Sequence, residues 1–550
     1  MYRPMLAPLA GSLVWSAVVA GLPIITLFVL LGVARVRAWL AALGALAVAA
    51  LVSVVAYAMP AGQVLLTASL GAAFALFPLV WTFGTAIWIY RMTVTSGHFD
   101  VLGRAFTRVS GDRQVQALVI AFCFGALLEG LAGQGTPVAI TTVMLLALGL
   151  GPMRAATVAL VANTVPAAFG PLGLPITTLA GVTDLPAGDL GAMAGRQVPV
   201  IALFVPLLLV GLVGGRRGVR GTWHVAAACG VSFAVAQFLT SNYLSVALAD
   251  IVAGLVSAVV VAVTARVWPP RRDGGGGAPA GSRPAAVTGG AGGTVTLAAP
   301  TRPDTAAEVW RAYAPYLLIV VIFGLSQVPV IADALNAVTV TFRWPGLHLL
   351  TGSGAQSSLP VFRFNWLSST GTLLFLAGLM TMAILRITPR AAAAAYGRTL
   401  LSLRGAIVTV CGLLALAFVM NGSGQTATLG SWMAGAGGVF AVLSPVLGWL
   451  GVALTGSDTS SNSLFGGLQV TAARSAGLDP VLLAAANASG GVVGKMISLQ
   501  NLTIAAGAVG LSGREGDLFR RTAGWSVVLI CAMALLVGLQ ATPVLSWMVP

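Results

Sequence analysis

The sequence predicts an all-α polytopic membrane protein, with about 12 transmembrane helices plus two re-entrant hairpins in an inverted repeat. Three observations carry that reading. Hydrophobic residues form 58% of the 550-residue chain and charged residues 8%, where a soluble domain carries about 25%. Mean hydropathy is +0.95. The basic residues lie in short clusters between apolar runs, so the net charge of +15 points to a lipid bilayer and away from nucleic acid.

Apolar runs long enough to cross a bilayer lie near 14–34, 39–58, 63–90, 155–175, 197–214, 223–241, 247–267, 313–329, 367–385, 404–421, 480–497 and 523–542. The first run is longer than a signal-peptide core of about 7–15 residues and is read as a span. Two further stretches, 115–150 and 431–471, are broken by Gly, Thr, Ser and Pro. Broken helices survive at membrane depth only where protein or a cavity shields them, which makes these the two hairpins. Between Pro269 and Pro300 the chain turns to Gly, Ala, Pro and Ser. Such a segment buries too little apolar area to offset its ordering entropy. The chain therefore divides into a first membrane half (1–268), a flexible linker (269–308) and a second half (309–550).

The arginines set the orientation. With the N-terminus outside and each hairpin returning to its side of entry, only Arg3, Arg196, Arg343, Arg363 and Arg474 lie outside. The other arginines and the linker are cytoplasmic, as the positive-inside rule requires. A weak repeat relates the halves: Ala162-Asn163 precedes Gly170-Pro171 at the spacing by which Ala486-Asn487 precedes Gly494-Lys495. Each copy follows one hairpin, and the two hairpins dip in from opposite sides. Inverted repeats whose broken helices meet at mid-membrane describe a secondary transporter.

Three charged residues fall outside the predicted loops: Glu129, Asp458 and Lys495, the sole lysine. A charge at bilayer depth costs about 2.5–3.5 kcal/mol even on lenient scales, so each needs a partner or a polar cavity. Lys495 follows Gly490-Gly491-Val492-Val493-Gly494, whose glycines suggest an unwound segment, and is the expected anchor for an anion. Glu129 precedes Gly133-Gln134-Gly135-Thr136-Pro137, where glycines and proline stop a helix and expose backbone amides. Asp458 sits in Ser457-Asp458-Thr459-Ser460-Ser461-Asn462, a polar run between apolar arms. Those two tips face each other in this reading, with Asn163 and Asn487 supplying amides from the broken helices. Glu129 lies among apolar and glycine neighbours, where desolvation disfavours a charge. Asp458, among hydroxyls, organises the second tip or pairs with Lys495.

Cys123, Cys229, Cys411 and Cys531 have no CxxC spacing, and His98, His224 and His348 have no ligand-spaced partners. Neither a metal site nor a disulfide framework is expected. No phosphate-binding loop is present, which disfavours ATP-driven transport, and no cofactor is implied.

The long motifs resemble the L-lactate permease family. They are Phe124–Gly130 with Gly133–Ile140, Ala162–Gly170, Val419–Asn421 with Ser423-Gly424, Leu454–Asn462, and Gly490-Gly491 with Gly494–Ser498. The resemblance covers nearly the whole chain. It implies a proton-coupled importer of 2-hydroxymonocarboxylates (L-lactate, D-lactate, glycolate) in the plasma membrane, and a scaffold paired with a mobile transport domain; for such a symporter Glu129 is the expected proton carrier, with Asp458 as the alternative. Gln134 stands where an aromatic residue is expected in the family, which leaves substrate preference open. Na⁺ coupling, another carboxylate, a passive channel, or an intramembrane enzyme using Glu129 and Asp458 as acid and base are the alternatives. The sequence leaves the assembly open, with a homodimer as one option.

Overall fold

The computed structural model describes residues 1–34, 36–101, 110, 112–133, 135–270, 287–289, 293–295, 305–326, 328–352, 354–512 and 514–550. Most of the 269–308 linker lies outside the described residues, as does Gln134. The chain is almost wholly helical, and eleven of its described helical segments are long and apolar enough to cross a membrane.

The helices form two layers. In one, Leu13–Phe28, Ala38–Val55, Ala61–Phe74 and Trp81–Thr95 from the first half pack with Ala306–Ser326, Thr370–Ile384 and Pro389–Ser423 from the second. The other layer holds two helix–turn–helix pairs, each followed by a broken helix. The first pair joins Arg113–Leu131 to Thr136–Ala147, and Pro152–Ala162 and Leu174–Thr183 are its broken helix. The second pair joins Phe440–Thr455 to Asp458–Ala476, followed by Pro480–Gly494 and Leu499–Ala508. Helices Ala187–Ala202, Val205–Tyr243, Ala249–Val267 and Glu515–Gln540 flank this layer.

Local chemistry sets these boundaries. Asp112 begins the first pair, its carboxylate accepting the backbone N–H of Gln114 (2.8 Å) and Val115 (3.0 Å). Asp479 does the same for Pro480–Gly494, accepting Leu482 N–H at 2.8 Å. Both turns end on left-handed glycines, Gly135 at φ 80° and Gly456 at φ 77°, a conformation that costs side chains with a Cβ.

The layer has an exchange symmetry. Thr136–Ala147 packs on Pro152–Ala162 of its own half and on Leu499–Ala508 of the other. Its counterpart Asp458–Ala476 packs on Pro480–Gly494 and on Leu174–Thr183. Each hairpin thus rests on one half-helix of each repeat.

Several expectations need correction. The run at 155–175 is no single span: its helix stops at Ala162, and Pro166 lies in a 3₁₀ turn before the next helix starts at Leu174. The runs at 197–214 and 223–241 belong to Ala187–Ala202 and to Val205–Tyr243, which kinks at Gly215. Helix Pro389–Ser423 is 35 residues long, far beyond the run at 404–421. The second hairpin's arms are 440–455 and 458–476, so 431–439 precedes it. Between the spans placed at 313–329 and 367–385, Val340–Arg343 and Val361–Phe364 form an antiparallel ribbon of β-branched and aromatic residues. The N-terminus docks beside it, Tyr2 N–H donating to His348 O at 3.0 Å.

The glycines before Lys495 do not unwind the chain. Pro480–Gly494 is helical throughout, and the break follows it. A Cβ at Gly448 would overlap the carbonyl oxygen of Asn487, one at Gly490 that of Pro445, and one at Gly494 that of Trp449. The glycines let two helices touch backbone to backbone, as small residues do between membrane helices. Gly490→Ala should therefore destabilise the purified protein by about 3 kcal/mol, the upper end of overpacking costs. A thermal midpoint equal to that of the parent protein would contradict this seam.

Candidate functional site

The first hairpin's tip is wedged against the first break. A Cβ at Gly133 would lie 2.8 Å from Pro171 Cδ, one at Gly170 would lie 2.7 Å from Glu129 Cγ, and Leu172 N–H donates to Gly130 O at 2.9 Å. The same tip reaches the second half. A Cβ at Gly135 would overlap Ile504 Cδ1 and sit 3.3 Å from Asn501 Oδ1, while one at Gly456, in the second tip, would lie 2.8 Å from Gln500 Cβ. Both tips thus abut the start of helix Leu499–Ala508, where Ser498 is the N-cap.

At this junction Lys495 Nζ donates to Glu129 Oε1 at 2.5 Å. Lys495 is 6% exposed and Glu129 2%. Separated ions at this depth would each cost several kcal/mol, so mutual attraction holds them together. Asp458, the sequence-based alternative partner, is also buried, but neither of its carboxylate oxygens hydrogen-bonds to the protein. It lies against Gly491, one helical turn before Lys495 and on the same face. Glu129 Oε2 and both amide atoms of Asn163 are likewise buried without a protein partner. Asn163 caps helix Pro152–Ala162, at the break itself. Beside Lys495, Asn501 Nδ2 donates to Lys495 O at 3.2 Å and to Ser498 Oγ at 2.9 Å.

The other expected residues take different places. Asn487 is not at a break. It stands mid-helix, donating to Asn462 Oδ1 at 2.8 Å and accepting from Gln469 Nε2 at 3.3 Å. The apparent match between Asn163 and Asn487 is therefore not structural. Ser457 caps helix Asp458–Ala476, and Ser461 Oγ donates to Gly448 O at 3.2 Å, tying the hairpin arms together. Thr459 and Ser460 are buried in that helix's first turn, and Thr136 opens the second arm of the first hairpin. One buried carboxylate escaped the sequence reading: Asp250, 1% exposed, whose Oδ1 accepts from Gln237 Nε2 at 2.9 Å. It fell at the edge of the span placed at 247–267, though an acid among Leu248, Ala249 and Ile251 meets the criterion that singled out Glu129. Among the described residues no cluster of three or more His, Cys, Asp or Glu could hold a metal. Cys123 and Cys229 are both free, with their Sγ atoms 3.7 Å apart.

Chemically, the junction suits a small anion with a hydroxyl. Lys495 has three N–H donors, and Asn163 can both donate and accept. Buried polar groups without partners cost about 1–3 kcal/mol each, so a polar guest that satisfies them is favoured.

Crossed hairpins and broken helices around a buried ion pair, inside an apolar all-helical fold, define a membrane transport protein. A profile of the L-lactate permease family matches residues 16–544. The chain belongs to that family, and it is a permease and not an enzyme. It is 38% identical to the L-lactate permease of Bacillus subtilis, over 99% of both chains. It is 40% identical to the glycolate permease GlcA of Escherichia coli, over 98% of this chain and 97% of that one. The L-lactate permease of Escherichia coli is 37% identical over 98% of each.

Proposed function

We propose that this protein imports L-lactate, D-lactate and glycolate across the plasma membrane by proton symport. The observation that carries the reading is the Lys495–Glu129 pair at the junction of tips and breaks. An incoming carboxylate competes with Glu129 for the same ammonium. If Glu129 takes up a proton as the anion arrives, the buried charge stays balanced throughout. Proton and anion then enter together, because either alone would leave a bare charge in a dry site. The substrate hydroxyl is satisfied by the Asn163 amide, with Asp458 holding the second tip beside Lys495.

The remaining features follow from the same reading. The hairpins are re-entrant in this reading, which the bond from Arg113 to Gly149 O supports by holding the two ends of the first hairpin together. The second hairpin adjoins helix Gln425–Met433, whose Thr428 donates to Leu6 O near the N-terminus. In this reading its open end is on the N-terminal side, taken as outside by the distribution of the arginines, with the linker cytoplasmic. The layer of paired hairpins is the transport domain, and the other layer is the scaffold.

Uptake of labelled lactate into proteoliposomes tests this, with the pH and Na⁺ gradients varied independently. One proton per anion should sustain about tenfold accumulation per unit of pH gradient, acid on the side of entry, with no response to Na⁺. Accumulation driven by Na⁺ alone would replace the proton with Na⁺, and uptake that never exceeds equilibrium would leave a passive channel.

A further inference from the structure

Asp250 is a buried carboxylate that the exchange at Lys495 does not use. It lies in the first turn of helix Ala249–Val267, where the helix dipole supports a negative charge. Gln237, on the neighbouring helix Val205–Tyr243, holds its Oδ1, leaving Oδ2 without a protein partner. On one side Asp250 adjoins the ion pair: a Cβ at Gly130, next to Glu129 in the chain, would lie 3.2 Å from Asp250 Cβ. The ionisable groups whose charges reach it are Glu129 and Lys495.

Near the start of the same helix lies a vestibule of about 730 Å³, lined in part by Leu172, Arg196, Asn242, Val246, Ala247 and Asn365. Asn365 directly follows the ribbon strand Val361–Phe364, so this vestibule opens at the end where the N-terminus docks. Val246 and Ala247 belong to the 3₁₀ turn Val246–Leu248, which runs straight into the Asp250 helix. The turn is held against the first break, since a Cβ at Gly173 would lie 3.1 Å from Val246 Cγ1. Leu172, also lining the vestibule, is bonded to Gly130 O. Asp250 thus follows the cavity wall by three residues and lies beside Gly130, the chain neighbour of Glu129.

We propose that Asp250 is the proton relay of this permease, taking a proton from the vestibule on Oδ2 and passing it to Glu129. The step balances: a hydronium ion in the vestibule gives a proton to the Asp250 carboxylate and is left as water. The neutral Asp250 then gives that proton to Glu129, whose bond to Lys495 is released, and Asp250 is a carboxylate again. Gln237 is a positioning residue that keeps one oxygen occupied and the other free. This rests on the proton-symport reading above.

The test compares two activities in proteoliposomes: lactate accumulation driven by a pH gradient, and lactate exchange at equal pH, which needs no net proton movement. In Asp250→Asn the ratio of driven accumulation to exchange should fall about tenfold, as expected when one unit of gradient is no longer coupled, and Asp250→Glu should restore it. An unchanged ratio overturns the relay. So does a parallel loss of both activities, which would mark Asp250 as a structural or substrate-binding group. Should Asp250→Asn fail to fold, Gln237→Leu carries the test: the ratio should fall severalfold, and an unchanged ratio again overturns the proposal. If the parent protein itself shows no pH-driven accumulation, the symport reading fails, an outcome distinct from a coupled parent with an unaffected variant.

Discussion

Lys495→Ala should abolish measurable lactate binding in the purified protein, weakening it at least about a hundredfold, or roughly 2.7 kcal/mol. Among the described residues the ammonium is the sole buried cation at the junction of tips and breaks, and it already holds a carboxylate there. Removing it also strands Glu129, and breaking a buried pair costs about 3–5 kcal/mol of stability. Weaker binding could then reflect unfolding. The double variant Lys495→Ala, Glu129→Gln separates the two effects: it removes both charges, so it should recover much of the lost stability while binding stays lost. Lys495→Arg should impair binding about tenfold, because the planar fork demands a different geometry from a point charge. Calorimetric titration with lactate, beside thermal melting, reads all three. Unchanged lactate affinity in Lys495→Ala would remove this residue from the site.

Glu129→Gln should separate binding from coupling. The amide keeps the shape of the side chain and frees Lys495 permanently, so lactate exchange should stay within about twofold of the parent while pH-driven accumulation collapses. With one proton per anion, a pH gradient of one unit sustains about tenfold accumulation; an uncoupled carrier only equilibrates. If Glu129→Gln still concentrates lactate under an imposed proton gradient, Glu129 is not the coupling group. The unpartnered carboxylate of Asp458, which lies against Gly491 one turn before Lys495, then becomes the candidate.

What the sequence determined by itself was everything that depends on short stretches of chain. Hydropathy and charge content made the chain a membrane protein, because each apolar run is read against a bilayer thickness and a fixed helical rise. Gly133, Gly135 and Gly456 marked turns, because left-handed backbone is cheap only for glycine. Glu129, Asp458 and Lys495 stood out because a charge in an apolar run needs a reason wherever it falls. The tertiary structure alone decided who meets whom. Glu129 and Lys495 pair across 366 positions of sequence, whereas the sequence reading could only offer Asp458 as a partner for the lysine. Asn163 sits at a break and Asn487 inside a helix, although the local motifs look alike. The glycines before Lys495 read as unwinding but serve a helix crossing, because a small residue has the same signature whether it frees its own backbone or admits a neighbour's. Asp250 became visible only when the crossing at Gly130 set it beside the residue next to Glu129. Pairing, crossing and burial depend on which faces of distant helices come together, and that is set by packing over the whole chain, not by the composition of any one segment.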